Sequence, residues 1–123
     1  MTYKDYTILV TLDCYKNLSK NANSLYYILT KLHSCFGNNE YFFLSAKEIS
    51  KMLNKSVRTF SRAKNELVYY GLIKIKKQYW KTNGNRSFDN YHICSISEIL
   101  STLNKDKNQH QKDINRIKNL VGA

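Results

Sequence analysis

Arg58, Arg62 and Asn65 stand four and then three residues apart in "VRTFSRAKNELVYYGLI", and Tyr69 follows four residues on. On an α-helix such steps return to the same face. A guanidinium can donate two parallel N–H groups to guanine O6 and N7, and a carboxamide can pair similarly with adenine. Thr59 and Ser61 flank the line and can reach a thymine methyl or a phosphate. Residue types and spacing therefore suit contact with base edges at Arg58, Thr59, Arg62 and Asn65. Tyr69, farther along, suits the backbone instead. The competing reading is a solvated face on which Arg62 pairs with Glu66, its i, i+4 neighbour and the one acid on the polar side.

Other chemistries find no comparable pattern. His33, His92 and His110 are scattered, and none falls in a Ser/His/Asp or Cys/His arrangement. Cys14, Cys35 and Cys94 are odd in number and widely spaced, with no CxxC pair. They read as small apolar residues of a reducing cytoplasm. No glycine-rich phosphate loop is present. No enzyme activity, metal, cofactor or small-molecule ligand is expected.

The elements that must position the arginines follow from periodicity and capping signals. "YTILVTL" (6–12) is β-branched and short, which predicts a strand or extended arm. "LSKNANSLYYILTKLHSCFG" predicts a helix capped by Ser19 and stopped at Gly37, with Ala22, Leu25, Ile28, Leu29, Leu32 and Phe36 on its apolar stripe. Tyr26, Tyr27 and His33 lie off that stripe, as packing or interface residues. "EYFFL" (40–44) predicts a brief strand. "SAKE" (45–48) has capping-box form and opens a helix with Ile49, Met52 and Leu53 inward. "NKS" (54–56) supplies a tight turn, with Asn54 tolerant of a left-handed backbone and Ser56 a cap for the next helix. That helix, 57–70, turns Val57, Phe60, Ala63, Leu67 and Val68 inward and ends at Gly71. "LIKIKKQYW" (72–80) and "FDNYHIC" (88–94) alternate apolar and polar residues and flank a turn-rich loop at 81–87, so they predict a β-hairpin. "SISE" (95–98) repeats the capping-box form. Residues 105–111 are wholly polar, a linker or a solvated helical stretch. Ile114, Ile117, Leu120 and Val121 form a short stripe that needs a partner surface, in this chain or another.

The 123 residues are 42% hydrophobic and 13% aromatic, enough for one modest core. Residues 1–104 are expected to form that domain and 105–123 a polar linker with a short amphipathic helix. Neither a membrane span nor a signal peptide is expected. The net charge of +11 is unevenly spread. Residues 45–93 hold net +8, against +1 before them and +2 after. A basic excess localised on the predicted recognition segment is the footprint of a polyanionic partner. Lys47, Lys51 and Lys55, with Ser45 and Ser56, are placed for phosphate contacts that orient without specifying. Lys76, Lys77, Lys81 and Arg86 of the hairpin can flank a duplex.

The order helix, short strand, two helices joined by a turn, then basic hairpin resembles a winged helix-turn-helix domain. The resemblance rests on "EIS..LN.S.RT......EL...GLI" within residues 45–78. The upstream "LSKNANSLYYILTKL" is similar to the first helix of the N-terminal domain of plasmid and phage replication initiators from Gram-positive bacteria. The resemblance covers residues 18–93. It implies an α+β fold: helix-rich, with a small antiparallel sheet or wing, and here an extra C-terminal helix. It also implies sequence-specific binding of double-stranded DNA at a replication origin, by a cytoplasmic bacterial protein associated with plasmid or nucleoid. One recognition helix per chain implies a homodimer on a repeated site. The same architecture serves transcriptional repressors and partition adaptors, and more rarely modules that bind protein or RNA.

Overall fold

A computed structural model describes residues 3–35, 42–43, 45–79 and 87–121 of the chain. In order, the elements are α1 (Tyr3–Leu9), α2 (Asp13–Lys16), α3 (Lys20–Cys35), β1 (Phe42–Phe43), α4 (Ala46–Leu53), α5 (Val57–Tyr69), β2 (Ile73–Tyr79), β3 (Ser87–Ile93), α6 (Ile96–Leu103) and α7 (Lys107–Val121). A single 3₁₀ turn, Asn104–Asp106, joins the last two helices. The fold is helix-rich α+β, with three antiparallel strands in the order β1-β3-β2. No helix among the described residues is long and apolar enough to cross a membrane.

Local signals account for most boundaries. The Ser19 hydroxyl accepts from the Ala22 amide at the start of α3; Phe36 and Gly37 lie outside the described residues. Ser45 and Ser56 cap α4 and α5 by accepting from the amides of Glu48 and Thr59. Ser95 and Glu98 form a complete reciprocal capping box on α6. Asn54 ends α4 at φ 59°. At the end of α5, Gly71 has φ 76°, its amide reaches Val68 O at 3.0 Å, and the Leu72 amide reaches Leu67 O at 3.0 Å. This paired closure needs a left-handed residue. A Cβ built on Gly71 would also lie 2.5 Å from the Thr102 Cβ, so glycine answers both to backbone hand and to the approach of α6.

Among the described residues the buried apolar side chains form one core cluster. Leu25, Leu29, Ile49, Phe60, Leu67, Leu72 and Tyr91 are all fully buried. Helices α3, α4 and α5 pack on one another, and the sheet lies against them. Register pairs Ile73 with Ile93 and Ile75 with Tyr91, which sets the apolar side of the hairpin inward. Lys74 and Lys76 are exposed. A half-buried ion pair, Lys64 Nζ to Asp89 Oδ2 at 3.0 Å, ties α5 to β3. Met52, Val57 and Val68, expected inward, are exposed because they sit at the margins of their stripes. Tyr26 is buried and Tyr27 exposed, so only the second remains available as an interface residue.

The N-terminal segment corrects an expectation. Residues 3–9 are helical, not a strand. Their β-branched residues favour extension only weakly, and tertiary burial overrides such preferences. Ile8, Leu9 and Leu12 lie on a helical spacing and are buried, where α1 packs on α6. The C-terminal stripe finds its partner within the chain. Residues 107–121 are helical, and Ile114 and Ile117 are buried, whereas Leu120 and Val121 stay exposed. Asp113, itself buried, accepts from the Asp13 amide at 2.7 Å and the Cys14 amide at 3.0 Å, at the start of α2. Arg116 donates to Thr11 O at 2.7 Å. The two ends of the chain are thereby joined. Burial, with the Asp113 carboxylate beside it, pushes the Cys14 thiol up to about 12.

Candidate nucleic-acid interface

Helix α5 has a committed inner face and an open outer one. Phe60, Ala63 and Leu67 are buried beneath it. Arg58, Arg62 and Asn65 are exposed above it. Neither arginine makes an ion pair among the described residues. The acid expected to neutralise Arg62 is engaged elsewhere, because Glu66 Oε2 accepts from the Ser19 amide at 2.8 Å. Glu66 thus joins α5 to the start of α3. Its carboxylate is committed to packing the helices, and neither guanidinium has a counter-charge in ion-pair contact among the described residues. Such charges remain available to a polyanion at little desolvation cost.

The turn before α5 adds a second element. Lys47, Ser50, Lys51, Asn54, Lys55, Ser56 and Val57 line a shallow groove of about 470 Å³. Lys47 and Lys51 are one turn apart on α4, and Lys55 follows the left-handed Asn54. All three lysines are exposed. The fold thus collects the expected phosphate-contacting lysines on one groove beside the first turn of α5. Ser45 and Ser56 are occupied as caps, and the Ser56 hydroxyl also donates to Thr59 Oγ1 at 3.1 Å. Thr59 and Ser61 are half-buried at the flanks.

Tyr69 departs from this group. Its hydroxyl donates to Gln109 Oε1 of α7 at 3.0 Å. Its ring meets those of Tyr70 and His110 edge-on, with centroids 5.0 and 6.4 Å away. His110 is where α7 kinks, at φ −117° and ψ 20°. Together with Asp13, Cys14 and Asp113, these rings line a cavity of about 580 Å³ between α2, α7 and the end of α5. The line of four residues read from the sequence is therefore divided: three on the open face, one turned to the C-terminal helix.

In the hairpin, Lys76 is exposed on β2, opposite Asn90 of β3. Lys77 lies in β2 with its side chain outside the described residues, and Lys81 and Arg86 fall outside them entirely. The positioning residues Lys64, Asp89 and Asp113 escaped the sequence reading, and Glu66 was given to Arg62 where the structure gives it to Ser19. Each acts through a partner 25 to 100 positions away, and no local pattern marks such pairs. Comparison with protein-family models, curated proteins and solved structures finds no match to this chain.

Proposed function

We propose that the chain is a winged helix-turn-helix protein that binds double-stranded DNA sequence-specifically, with α5 in the major groove. One observation carries this reading: Arg58, Arg62 and Asn65 are exposed on the outer face of α5, beside a lysine-lined groove, with no acid among the described residues paired to either arginine. On that reading Arg58 and Arg62 donate to guanine edges, Asn65 pairs with adenine, and Lys47, Lys51 and Lys55 neutralise phosphates. The hairpin of β2 and β3 is the wing, held to α5 by Lys64 and Asp89. A second copy on a repeated site supplies the second recognition helix. The similarity of residues 18–32 to replication initiators favours a replication origin as the site.

The test is selection of bound sequences from a random duplex pool, followed by mapping on the native replicon. Enrichment of one motif is expected, with log affinity falling against log salt by about 0.9 per phosphate neutralised. Equal binding to selected and scrambled duplexes would sink sequence readout. Occupancy at a promoter operator or a centromere-like array, instead of at origin repeats, would replace initiation by repression or partition. Salt-independent behaviour, with Arg58→Ala and Arg62→Ala neutral, would leave a module that binds protein or RNA.

A further inference from the structure

The root of the hairpin holds a cluster that the DNA reading does not use. His92 near the end of β3, Cys94 just beyond it and Glu98 in the first turn of α6 offer one nitrogen, one sulfur and one oxygen atom, all within 4.8 Å of one another. The His92 Nε2 lies 2.9 and 3.0 Å from the two Glu98 oxygens. Lys74 Nζ of β2 lies 2.9 Å from Glu98 Oε2. Cys94 is buried, while His92 and Glu98 are half-buried. The Ser95 amide fixes Glu98 from a third side, at 3.1 Å. Burial alone would raise the Glu98 carboxyl. Hydrogen bonds from His92, the Ser95 amide and Lys74 instead hold it down to about 2.

We propose that His92, Cys94 and Glu98 form a zinc site at the hairpin root, with water as the fourth ligand. The donor set is the first argument. Imidazole nitrogen, thiolate sulfur and carboxylate oxygen are the three protein ligand types of zinc, whereas calcium and magnesium select all-oxygen cages. Geometry is the second. Zinc bonds of roughly 2.0 to 2.3 Å set tetrahedral donors about 3.5 Å apart. The cluster reaches that spacing by a side-chain adjustment of about 1 Å, because the backbone already delivers all three groups to one point. Charge is the third. The Glu98 carboxylate already collects an ammonium and an imidazole N–H, the positions a dication takes over. Lys74 has a half-exposed side chain and can turn to solvent as the metal enters. As the metal enters, the Cys94 thiol proton and the His92 Nε2 proton that faces Glu98 both pass to solvent; the imidazole then binds through Nε2 with its remaining proton on Nδ1. Zinc there would clamp β3 to α6 and fix the angle of the hairpin. The site shares no residue with the α5 face, so either assignment stands or falls without the other.

Cobalt(II) is the probe, titrated anaerobically into the reduced full chain. The expected result is one equivalent bound, with intense visible d–d bands and near-ultraviolet thiolate-to-cobalt charge transfer, both displaced by zinc. Cys94→Ser removes the charge-transfer band. His92→Gln and Glu98→Gln weaken affinity by at least about tenfold, since even outer-shell changes cost that much. Lys74→Met tightens binding by removing the competing ammonium, a gain that no merely structural role produces. Cys14→Ser and Cys35→Ser leave the spectrum unchanged. Weak octahedral absorption, or charge transfer that survives Cys94→Ser, would overturn the proposal. Should Cys94→Ser fail to fold, unchanged cobalt affinity in a folded His92→Gln protein overturns it equally.

Discussion

The two ends of α5 are built for different purposes. At its N-terminal end Arg58 and Arg62 point to solvent without a partner among the described residues, and lysines gather alongside. At its C-terminal end Tyr69 and Tyr70 are held against α7 by a hydrogen bond and ring contacts. The helix is regular throughout, so periodicity cannot separate the two. The difference lies in what else arrives. The open end lies beside the turn from α4, and the closed end receives a helix from about 40 residues away. A single amphipathic helix is thus open to solvent at one end and tethered to α7 at the other.

The largest expected effect comes from removing what both ends share. Phe60→Ala should lower folding stability by about 3–5 kcal/mol, since it empties a fully buried aromatic site. Denaturant melts check it, and a loss within surface-mutation range would mean that the inner face is not anchored there. Asp113→Ala comes next. It removes two charge-assisted bonds to the start of α2 and should cost about 2–4 kcal/mol. Hydrogen exchange should show α7 and the Tyr69 end opening before the Arg58 end; uniform opening would abolish the distinction. Arg58→Ala and Arg62→Ala should each weaken binding to the selected duplex by about 1–3 kcal/mol. The same variants should leave the melting temperature unchanged, as solvated surface residues do. Lys47→Ala and Lys51→Ala should each flatten the salt slope by about 0.9 without changing the preferred sequence. Tyr69→Phe is the smallest change. It should cost about 0.5 kcal/mol or slightly more in stability, as an exposed hydrogen bond does, and nothing in DNA affinity. A loss of affinity matching Arg62→Ala would return Tyr69 to the open face.

Legibility followed range along the chain. Ser45, Ser56, Ser95, Asn54 and Gly71 marked boundaries in the sequence because caps and turns are settled by residues three to five positions apart. Phe60, Ala63 and Leu67 were legible by the same token, through helical period. Residues 6–12 misled because β-branched types speak for extension, while α6, on which they pack, lies some 90 residues away. The cluster of His92, Cys94 and Glu98 was not read from the sequence, which carries no metal pattern: His92 and Cys94 are two apart, as any same-side strand positions are. Glu98 and Lys74 meet them only when α6 and β2 close on β3.

The sequence by itself determined where helices and strands begin, which face of α5 is apolar, and that the basic excess falls on residues 45–93. Those properties depend on neighbours within a turn or a strand pair. Only the tertiary structure decided that Glu66 holds Ser19 and not Arg62, that Tyr69 belongs to α7, and that three lysines share one groove. The reason is physical. A charged or polar side chain takes whichever partner comes within about 3 Å, and for these residues that partner is delivered by the fold.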